Sequence, residues 1–396
     1  MLANHIKNIK PSATLSVTQK ARDLKAMGKN ILSLSAGEPD FITPDNICEA
    51  AITAMKSGKT KYTPVDGIIE LKEAIIKKYE KQKGIKYDLN EVIVSVGAKQ
   101  AIYNAFQATL NPGDEVIINS PYWVSYPDMV LLAKGSPLFV ENIDSNGSLD
   151  ISQIRKSITA RTKWIVINFP NNPDGSIISK KDLHELSNIL KENPHISLLS
   201  DDIYEDLIYE GESFNILQIA PSLKDRVLII SGVSKSYAMT GWRIGYALGE
   251  KNLIKGIKTI QSQSTSGACS ISQYAAVEAL KNSDDFIKFS REKFLIRRNL
   301  IVDLLSKSLN LSVVHPKGAF YVFVDARKCI NRATPKGVVI KDDSDLCEYL
   351  LEEAGVAVVP GSAFGKKGFF RASYACSEED IISGSSKIVE FCDILK

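Results

Sequence analysis

Seven short, almost wholly apolar runs constrain the fold more than any other feature of this sequence. Helix-sized intervals separate most of them, and they cover residues 92–96, 115–119, 138–141, 164–168, 196–200, 227–231 and 244–249. Continuous apolar strands that alternate with helices are typical of a mostly parallel sheet covered on both faces. The link between the last two runs is too short for a helix, which indicates one antiparallel strand. The sequence therefore predicts an α/β fold with a mostly parallel, seven-stranded sheet.

The C-terminal third has a different pattern, in which long helices precede short, scattered strands. We expect helices over residues 270–281 and 286–309, then strand character between residues 313 and 324. A polar segment with proline and glycine, residues 331–343, predicts a loop. A helix over 346–354 and strands over 356–359 and 369–374 complete the pattern, which predicts a smaller α+β unit.

The bulk properties exclude several classes of function. The chain has 396 residues, of which 44% are hydrophobic and 24% charged, and its formal net charge is +3. This is an ordinary globular composition, long enough for two domains. The charge is too small for a nucleic-acid-binding protein, and no apolar run approaches the roughly 18 residues that a membrane helix needs. The first residues also lack the apolar core of a signal peptide, so we expect a cytoplasmic protein.

Cysteine and histidine do not form a metal-binding pattern. The six cysteines lie far apart without a C-x-x-C pair, and the four histidines (His5, His184, His195 and His315) are equally scattered. Structural and catalytic zinc sites need such ligands at close, regular spacings. We therefore expect no metal site, and free thiols as in other proteins of a reducing compartment.

Lys235 is the first candidate for chemistry, because it follows the apolar run at 227–231. In open sheets of this class, ligands bind at the carboxyl ends of the strands. A lone lysine at such a place would ordinarily be a solvated surface residue. A lysine at a buried strand end, however, is costly to keep charged, and a neutral amine can form a Schiff base with an aldehyde cofactor. Arg243 could then hold a phosphate group of that cofactor through paired hydrogen bonds.

Other strand ends add compatible groups, each of which also has a structural explanation. Asp201 could cap a helix, or it could pair with a protonated pyridine nitrogen while Tyr204 reaches a ring oxygen. Trp123 could be core packing or could stack on a planar ring. Asn172 lies in a turn sequence and could also donate to a ring oxygen. Gly97–Ala98 opens a helix where a phosphate could approach, although the G-x-G-x-x-G pattern is missing.

Seven motifs occur along the chain in the order typical of one known family. They are A-G-E-P-D-F (36–41), K-Y-T-P (61–64), S-P-Y-W (120–123), N-x-P-N-N-P-x-G (168–175), S-D-x-I-Y (200–204), S-K-x-x-x-M-x-G-x-R-I-G-Y (234–246) and R-x-S-Y (371–374). The chain resembles class I, fold-type I aminotransferases that use pyridoxal phosphate, and most of all the bacterial-type Iβ aspartate aminotransferases. The resemblance covers nearly the whole chain. It implies a large cofactor-binding domain at residues 46–289, a small domain at 290–396, and an N-terminal arm at 1–45 that also contributes to the small domain.

The resemblance assigns roles around the cofactor. Lys235 would bind the aldehyde covalently and later move a proton, and Asp201 would pair with the ring nitrogen. Asn172 and Tyr204 would bond the ring oxygen, and Trp123 would stack on the ring. The phosphate would be bound by a further set of residues, namely Gly97, Ala98, Ser234 and Arg243. Tyr62 would reach the phosphate of the neighbouring subunit, which implies a homodimer with shared active sites.

The resemblance also implies the substrates. Arg371 would grip the α-carboxylate while Gly37 closes over it, and Trp123 and Asn172 would also line the substrate site. Lys99 and Ser264 would face the distal carboxylate, so aspartate, glutamate and their 2-oxo acids are the expected substrates. A lysine is less selective than a bidentate arginine, so aromatic or prephenate-type acceptors stay open.

Two alternatives of other kinds also remain. One is β-elimination on the same fold, and the other is a regulatory domain that senses pyridoxal phosphate without catalysis.

The chain departs from the usual family pattern at Asp174, where threonine is common, and at Asp202, where glutamate is common. Neither position carries the chemistry described above.

Overall fold

A computed structural model describes residues 2, 6–7, 9, 11–143, 147–212 and 214–396 of the chain. His5, one of the scattered histidines, lies outside the described residues. Among the described helices, none combines the length and the apolar character needed to cross a membrane. Within the same residues, histidine, cysteine and acidic side chains form no group that could hold a metal ion.

The prediction of a mostly parallel, seven-stranded sheet is confirmed. Its strands are β2 (Val92–Val96), β3 (Glu115–Ser120), β4 (Ser136–Glu141), β5 (Thr162–Asn168), β6 (Ser197–Asp201), β7 (Val227–Gly232) and β8 (Ile244–Leu248). They are arranged in the order β2-β8-β7-β6-β5-β3-β4. Only β8 pairs antiparallel with its neighbours in this sheet, as the short link before it indicated.

Helices cover both faces of this sheet. Successive strand residues point to opposite sides, and in these strands the residues on both sides are apolar and need cover. On β2, for example, Val92 and Val94 join one buried apolar cluster, whereas Ile93 joins the cluster on the opposite face. The helices of this unit are α2 (Asp45–Lys56), α3 (Ile69–Lys83), α4 (Ala98–Thr109), α5 (Ser125–Leu132), α6 (Ile151–Ser157), α7 (Lys180–Glu192), α8 (Ile216–Ile219), α9 (Lys251–Ser262) and α10 (Ser270–Asn282). Burying a sheet on both faces explains why its strands are continuously apolar.

The C-terminal part forms the expected smaller α+β unit. Its antiparallel sheet has the order β12-β13-β10-β9 and consists of β9 (Ser312–Val313), β10 (Tyr321–Asp325), β12 (Val359–Pro360) and β13 (Phe369–Ser373). Three helices cover it, namely α11 (Asp284–Leu305), α12 (Asp343–Glu352) and α13 (Glu378–Asp393). The region predicted as a strand over 356–359 is divided between β12 and a separate two-residue strand, β11 (Val356–Ala357).

The N-terminal segment packs against the C-terminal unit. Its helix α1 (Ala13–Ala26) is followed by β1 (Leu32–Ser33), which pairs parallel with β11. Ala21 of α1 lies in one apolar cluster with Leu351 and Ala357. The boundary expected between residues 289 and 290 falls inside α11, so this helix connects the two units. The division into domains stays a prediction of the sequence.

Candidate active site

The carboxyl edge of the large sheet brings the predicted residues together. Asp201 ends β6, and Lys235 and Ser234 follow β7. Asn172 follows β5, and Trp123 follows β3. Arg243 reaches the same edge from the other direction, because it precedes β8, the antiparallel strand.

A cavity of about 770 Å³ opens at this edge. It is lined by eleven of the fourteen residues predicted for the site: Gly37, Ala98, Lys99, Trp123, Asn172, Asp201, Tyr204, Ser234, Lys235, Arg243 and Arg371. Arg371 comes from β13 of the smaller unit, and Gly37 lies after β1. The cavity is therefore formed where the two units and the N-terminal segment meet.

Asp201 is a buried carboxylate on the inner wall of the cavity. It is 4% exposed, and it accepts a hydrogen bond of 2.7 Å from the Tyr126 hydroxyl and one of 3.3 Å from the Ile203 N–H. Burial raises the pKa of Asp201 to about 6, and the Tyr126 bond opposes this rise. Among the described residues, no lysine or arginine forms an ion pair with it. Such a carboxylate is suited to a cationic ligand group.

Lys235 faces the cavity with its amine. Its Nζ donates a hydrogen bond of 2.6 Å to the carbonyl oxygen of Gly37. The side chain keeps some surface towards the cavity, yet protein atoms surround it, and this burial lowers the pKa of Lys235 to about 8. Glu38 raises this pKa and Arg243 lowers it, both with smaller effects. A substantial fraction of the amine is therefore neutral and nucleophilic slightly above neutral pH.

Arg371 is held inside the protein by neutral partners. It is 2% exposed, its Nη1 donates to Oδ1 of Asn172 at 2.9 Å, and its Nη2 donates to the carbonyl of Ser35 at 3.0 Å. Its Nε has no hydrogen-bond partner among the described residues. Burial lowers the pKa of Arg371, but an arginine keeps its charge at neutral pH. A buried guanidinium with a free donor is suited to binding a carboxylate.

A second cationic corner lies at the start of α4. Gly97 has φ +79°, and a Cβ at this position would meet the Arg243 guanidinium, with its Cζ only 2.9 Å away. Arg243 itself has φ +57°, a left-handed conformation that is uncommon outside glycine and often occurs at functional sites. The guanidinium and the N-terminus of α4 thus lie side by side, and both attract anions.

Lys99 and Trp123 form a pair on the same side of the cavity. The Lys99 Nζ lies 4.9 Å from the centroid of the Trp123 ring, within range of a cation–π interaction. Partial burial and, to a smaller extent, Arg243 lower the pKa of Lys99. This lysine adds positive charge to the wall on which the tryptophan offers a planar surface.

The cavity of a single chain does not include the remaining three predicted residues. Gly97 has no side chain and directly precedes Ala98 at the start of α4. Tyr62 is 100% exposed, and Ser264, also exposed, follows the end of α9 and donates its hydroxyl to the Ile260 carbonyl of that helix. Their proposed roles stay predictions.

The two departures from the family pattern also lie away from the cavity lining. Asp174 accepts a hydrogen bond from the Ser176 hydroxyl at 2.6 Å, and Asp202 accepts one from the Ser200 hydroxyl at the same distance. Burial raises the pKa of Asp202 to about 7. Both carboxylates therefore accept hydrogen bonds from nearby serine hydroxyls outside the cavity lining.

Several lining residues were missed at the level of sequence. Helix α1 forms an outer wall with Thr14, Leu15, Thr18, Gln19 and Arg22, and the inner wall includes Tyr321. No motif marked α1, because its place over the cavity depends on contacts with α12 and β11. Tyr321 could have been found, since it opens the apolar strand predicted between residues 313 and 324.

Comparisons with known proteins agree with this architecture. The family model described as aminotransferase class I and II matches residues 29–386. A relative from Rickettsia bellii, named a probable aspartate/prephenate aminotransferase, is 50% identical over 397 residues, with all of both chains covered.

Solved structures are equally similar. The aspartate aminotransferase of Rhizobium meliloti superposes with a TM-score of 0.96 at 45% identity and covers 100% of both chains. The aspartate aminotransferase of Thermus thermophilus with maleate superposes with a TM-score of 0.92 at 43% identity and covers 99% of both chains.

Proposed function

Because this chain belongs to the class I and II aminotransferase family, we propose that it transfers the amino group of aspartate to 2-oxoglutarate. The products are oxaloacetate and glutamate, released in a ping-pong sequence of two half-reactions. The observation that carries this proposal is a cavity lined by five basic side chains, among which Arg371 and Lys99 accompany the amine of Lys235. Two carboxylates on one substrate match this distribution of charge.

The residues of the cavity fit pyridoxal phosphate, the cofactor that the family implies. The buried carboxylate of Asp201 could pair with a cationic ring nitrogen. The Arg243 guanidinium beside the N-terminus of α4 could bind a phosphate. Ser234 and Ala98 line the same cavity, and the Trp123 ring offers a surface for stacking. When bound, pyridoxal phosphate supplies an aldehyde carbon and an electron-withdrawing ring.

We assign Lys235 two tasks at its Nζ atom. The neutral amine first acts as the nucleophile that holds the cofactor, which its lowered pKa favours. Once free, the same atom would take a proton from the substrate Cα and deliver it to the carbon that was the cofactor's aldehyde, as a general base and then a general acid. Asp201 would keep the ring nitrogen protonated, and the hydroxyl of Tyr204 and the amide of Asn172 would donate to the ring oxygen.

Arg371 orients the substrate. Its guanidinium binds the α-carboxylate in a bidentate pair, with the Gly37 segment closing above it. Because the Cα–H bond must stand perpendicular to the ring before it can break, this grip contributes to rate as well as to affinity. Lys99 and Ser264 bind the distal carboxylate. The named ligand of the Thermus thermophilus structure, maleate, is itself a dicarboxylate and supports this assignment.

A second acceptor deserves a direct test, since the Rickettsia bellii relative is named for prephenate as well as aspartate. Prephenate also carries a carboxylate distant from its 2-oxo acid group. Lys99, a point charge on a flexible stem, can accept such a substrate more easily than a rigid bidentate arginine. We propose prephenate transamination as a further activity of the same site.

A steady-state survey of amino donors and 2-oxo acids, prephenate included, tests both proposals. Replacing Lys99 by Gln should lower kcat/KM for aspartate and glutamate about tenfold, since one charge-assisted bond is lost. Alanine and phenylalanine should be little affected, and Lys181→Gln, at an exposed lysine of α7, should change nothing. If kcat/KM fell equally for every amino acid, Lys99 would not be a residue that recognises the distal carboxylate. Release of pyruvate from cysteine thioethers in place of transamination would favour a β-lyase.

The assembly and location are also proposals. A homodimer with shared active sites explains why Tyr62, predicted to bind phosphate, is fully exposed on one chain. A reducing cytoplasm suits the free cysteines.

A further inference from the structure

Tyr321 lies between two residues of the proposed site and touches both. It begins β10, is 1% exposed, and lines the cavity. Its hydroxyl is 2.9 Å from the hydroxyl of Tyr204, and its ring centroid is 4.2 Å from the Arg371 guanidinium carbon. The ring and the hydroxyl of one side chain therefore meet different partners.

The ring of Tyr321 lies against the Arg371 guanidinium, whose positive charge is not balanced by a nearby carboxylate in the described part of the chain. Arg371 donates to the neutral oxygens of Asn172 and Ser35, and no carboxylate among the described residues forms an ion pair with it. The rings of Tyr321 and, at 5.0 Å, Phe364 are the aromatic faces next to the guanidinium. An aromatic face attracts a desolvated guanidinium and favours an orientation of its plane. The ring can thus hold the plane in which Arg371 meets a carboxylate.

The hydroxyl of Tyr321 can fix the proton of its neighbour. Burial raises the pKa of both phenols, so each keeps its proton at neutral pH. If the Tyr321 hydroxyl donates to the Tyr204 oxygen, the Tyr204 proton is free to point into the cavity. Tyr204 is then oriented to donate a hydrogen bond to a ligand oxygen.

We propose that Tyr321 is a positioning residue with two separable tasks: its ring aligns Arg371 for the substrate carboxylate, and its hydroxyl orients Tyr204 towards the cofactor. The inference rests on the proposed function, in which Arg371 binds the α-carboxylate. Tyr321 would not contact the reacting atoms itself and would act only through Arg371 and Tyr204.

Two substitutions in the cofactor-loaded enzyme separate the tasks. Tyr321→Phe keeps the ring and should leave KM for donor and acceptor within about twofold, since the cation–π contact survives. It should raise the midpoint pH at which the visible absorbance of the bound cofactor titrates, because Tyr204 then donates less effectively. Tyr321→Leu removes the ring and should raise KM about tenfold for every amino and 2-oxo acid, whatever the distal group.

Controls keep the test decisive. Phe391→Leu removes a buried aromatic ring of α13, in the same smaller unit but outside the cavity lining, and should change neither readout. If Tyr321→Leu does not fold by circular dichroism, Tyr321→Met takes its place, and the phenylalanine variant tests the hydroxyl independently. An unchanged midpoint in Tyr321→Phe would overturn the second task, and an unchanged KM in the folded aliphatic variant would overturn the first.

KM is measured with the amino acid that wild-type enzyme converts fastest. A wrong substrate assignment would then appear in the wild-type rates, whereas failure of the inference would appear only in the ratio of variant to wild type.

Discussion

The inner wall of the cavity and its mouth are built differently. On the inner wall, Asn172, Asp201, Tyr204 and Arg371 are each at most 4% exposed and are joined to neighbours by hydrogen bonds. At the mouth, Lys99 and Arg243 are exposed, and Tyr62, which is predicted to complete the mouth of the neighbouring subunit's cavity, is fully exposed on one chain. Groups fixed in advance stabilise charge without reorganising during the reaction. Under the proposed function, chemistry would depend on the inner wall, whose residues all come from one chain, whereas selectivity and retention of the cofactor would depend on the mouth.

The largest effect is expected for Lys235→Ala. Removing the nucleophile and proton carrier should lower turnover by at least about 10³-fold, since both covalent and acid–base catalysis are lost. The visible absorbance that the lysine gives to the bound cofactor should disappear as well. The measurement is steady-state transamination together with an absorbance spectrum.

The lysine variant should remain folded, because Lys235 donates its one described side-chain hydrogen bond to a backbone carbonyl in the cavity. Circular dichroism and the melting temperature provide the control. Normal transamination by a folded Lys235→Ala protein would contradict the proposed function, since the residue assigned to both the nucleophile and the proton transfer would then be dispensable.

A second prediction concerns the pH dependence of the cofactor-free protein. The pKa of Asp201 rises from 3.8 to about 6 through burial, so the folded chain holds this proton more tightly than the unfolded chain. Its contribution to stability is present below about pH 4 and is lost as the pH rises through about 6. The loss amounts to roughly 3 kcal/mol of unfolding free energy.

Asp201→Asn should remove this dependence, because an amide does not titrate in this range. Urea unfolding of both proteins at pH 4 and pH 7 measures it, and the variant should gain in relative stability as the pH rises. Asp202, whose pKa is also raised by burial, is present in both proteins and cancels in the difference. A difference in stability that stays constant between the two pH values would show that burial by the inner wall does not raise the pKa of Asp201.

The sequence predicted the inner wall better than the mouth, for physical reasons. A buried parallel sheet leaves a clear apolar pattern, and its carboxyl edge determines where Asp201, Asn172 and Lys235 meet. A two-residue strand such as β1 leaves no pattern, because its pairing depends on distant parts of the chain, and the run over 356–359 does not show that it divides into β11 and β12. Helix α1 was missed as a wall for the same reason.

The smallest effect in this series is expected at the mouth, for Tyr62→Phe. Loss of one hydrogen bond to a charged phosphate should weaken cofactor binding about tenfold. The inner wall is unchanged, so the pH dependence assigned to Asp201 should persist in the cofactor-free variant. Titration of the cofactor-free protein with pyridoxal phosphate gives the dissociation constant.

Mixed dimers decide whether this hydroxyl acts across the subunit interface. Consider a dimer of one Tyr62→Phe chain and one Lys235→Ala chain. If Tyr62 acts across the interface, the site of the Tyr62→Phe chain combines its own intact Lys235 with the intact Tyr62 of the partner subunit. That site should bind pyridoxal phosphate as tightly as wild type and should recover activity, whereas the Tyr62→Phe homodimer stays about tenfold weaker. If Tyr62 acted within its own chain, the mixed dimer would keep the weakened affinity. One subunit would then supply all residues of its own cavity mouth. The mouth and the inner wall would differ only in how exposed their residues are.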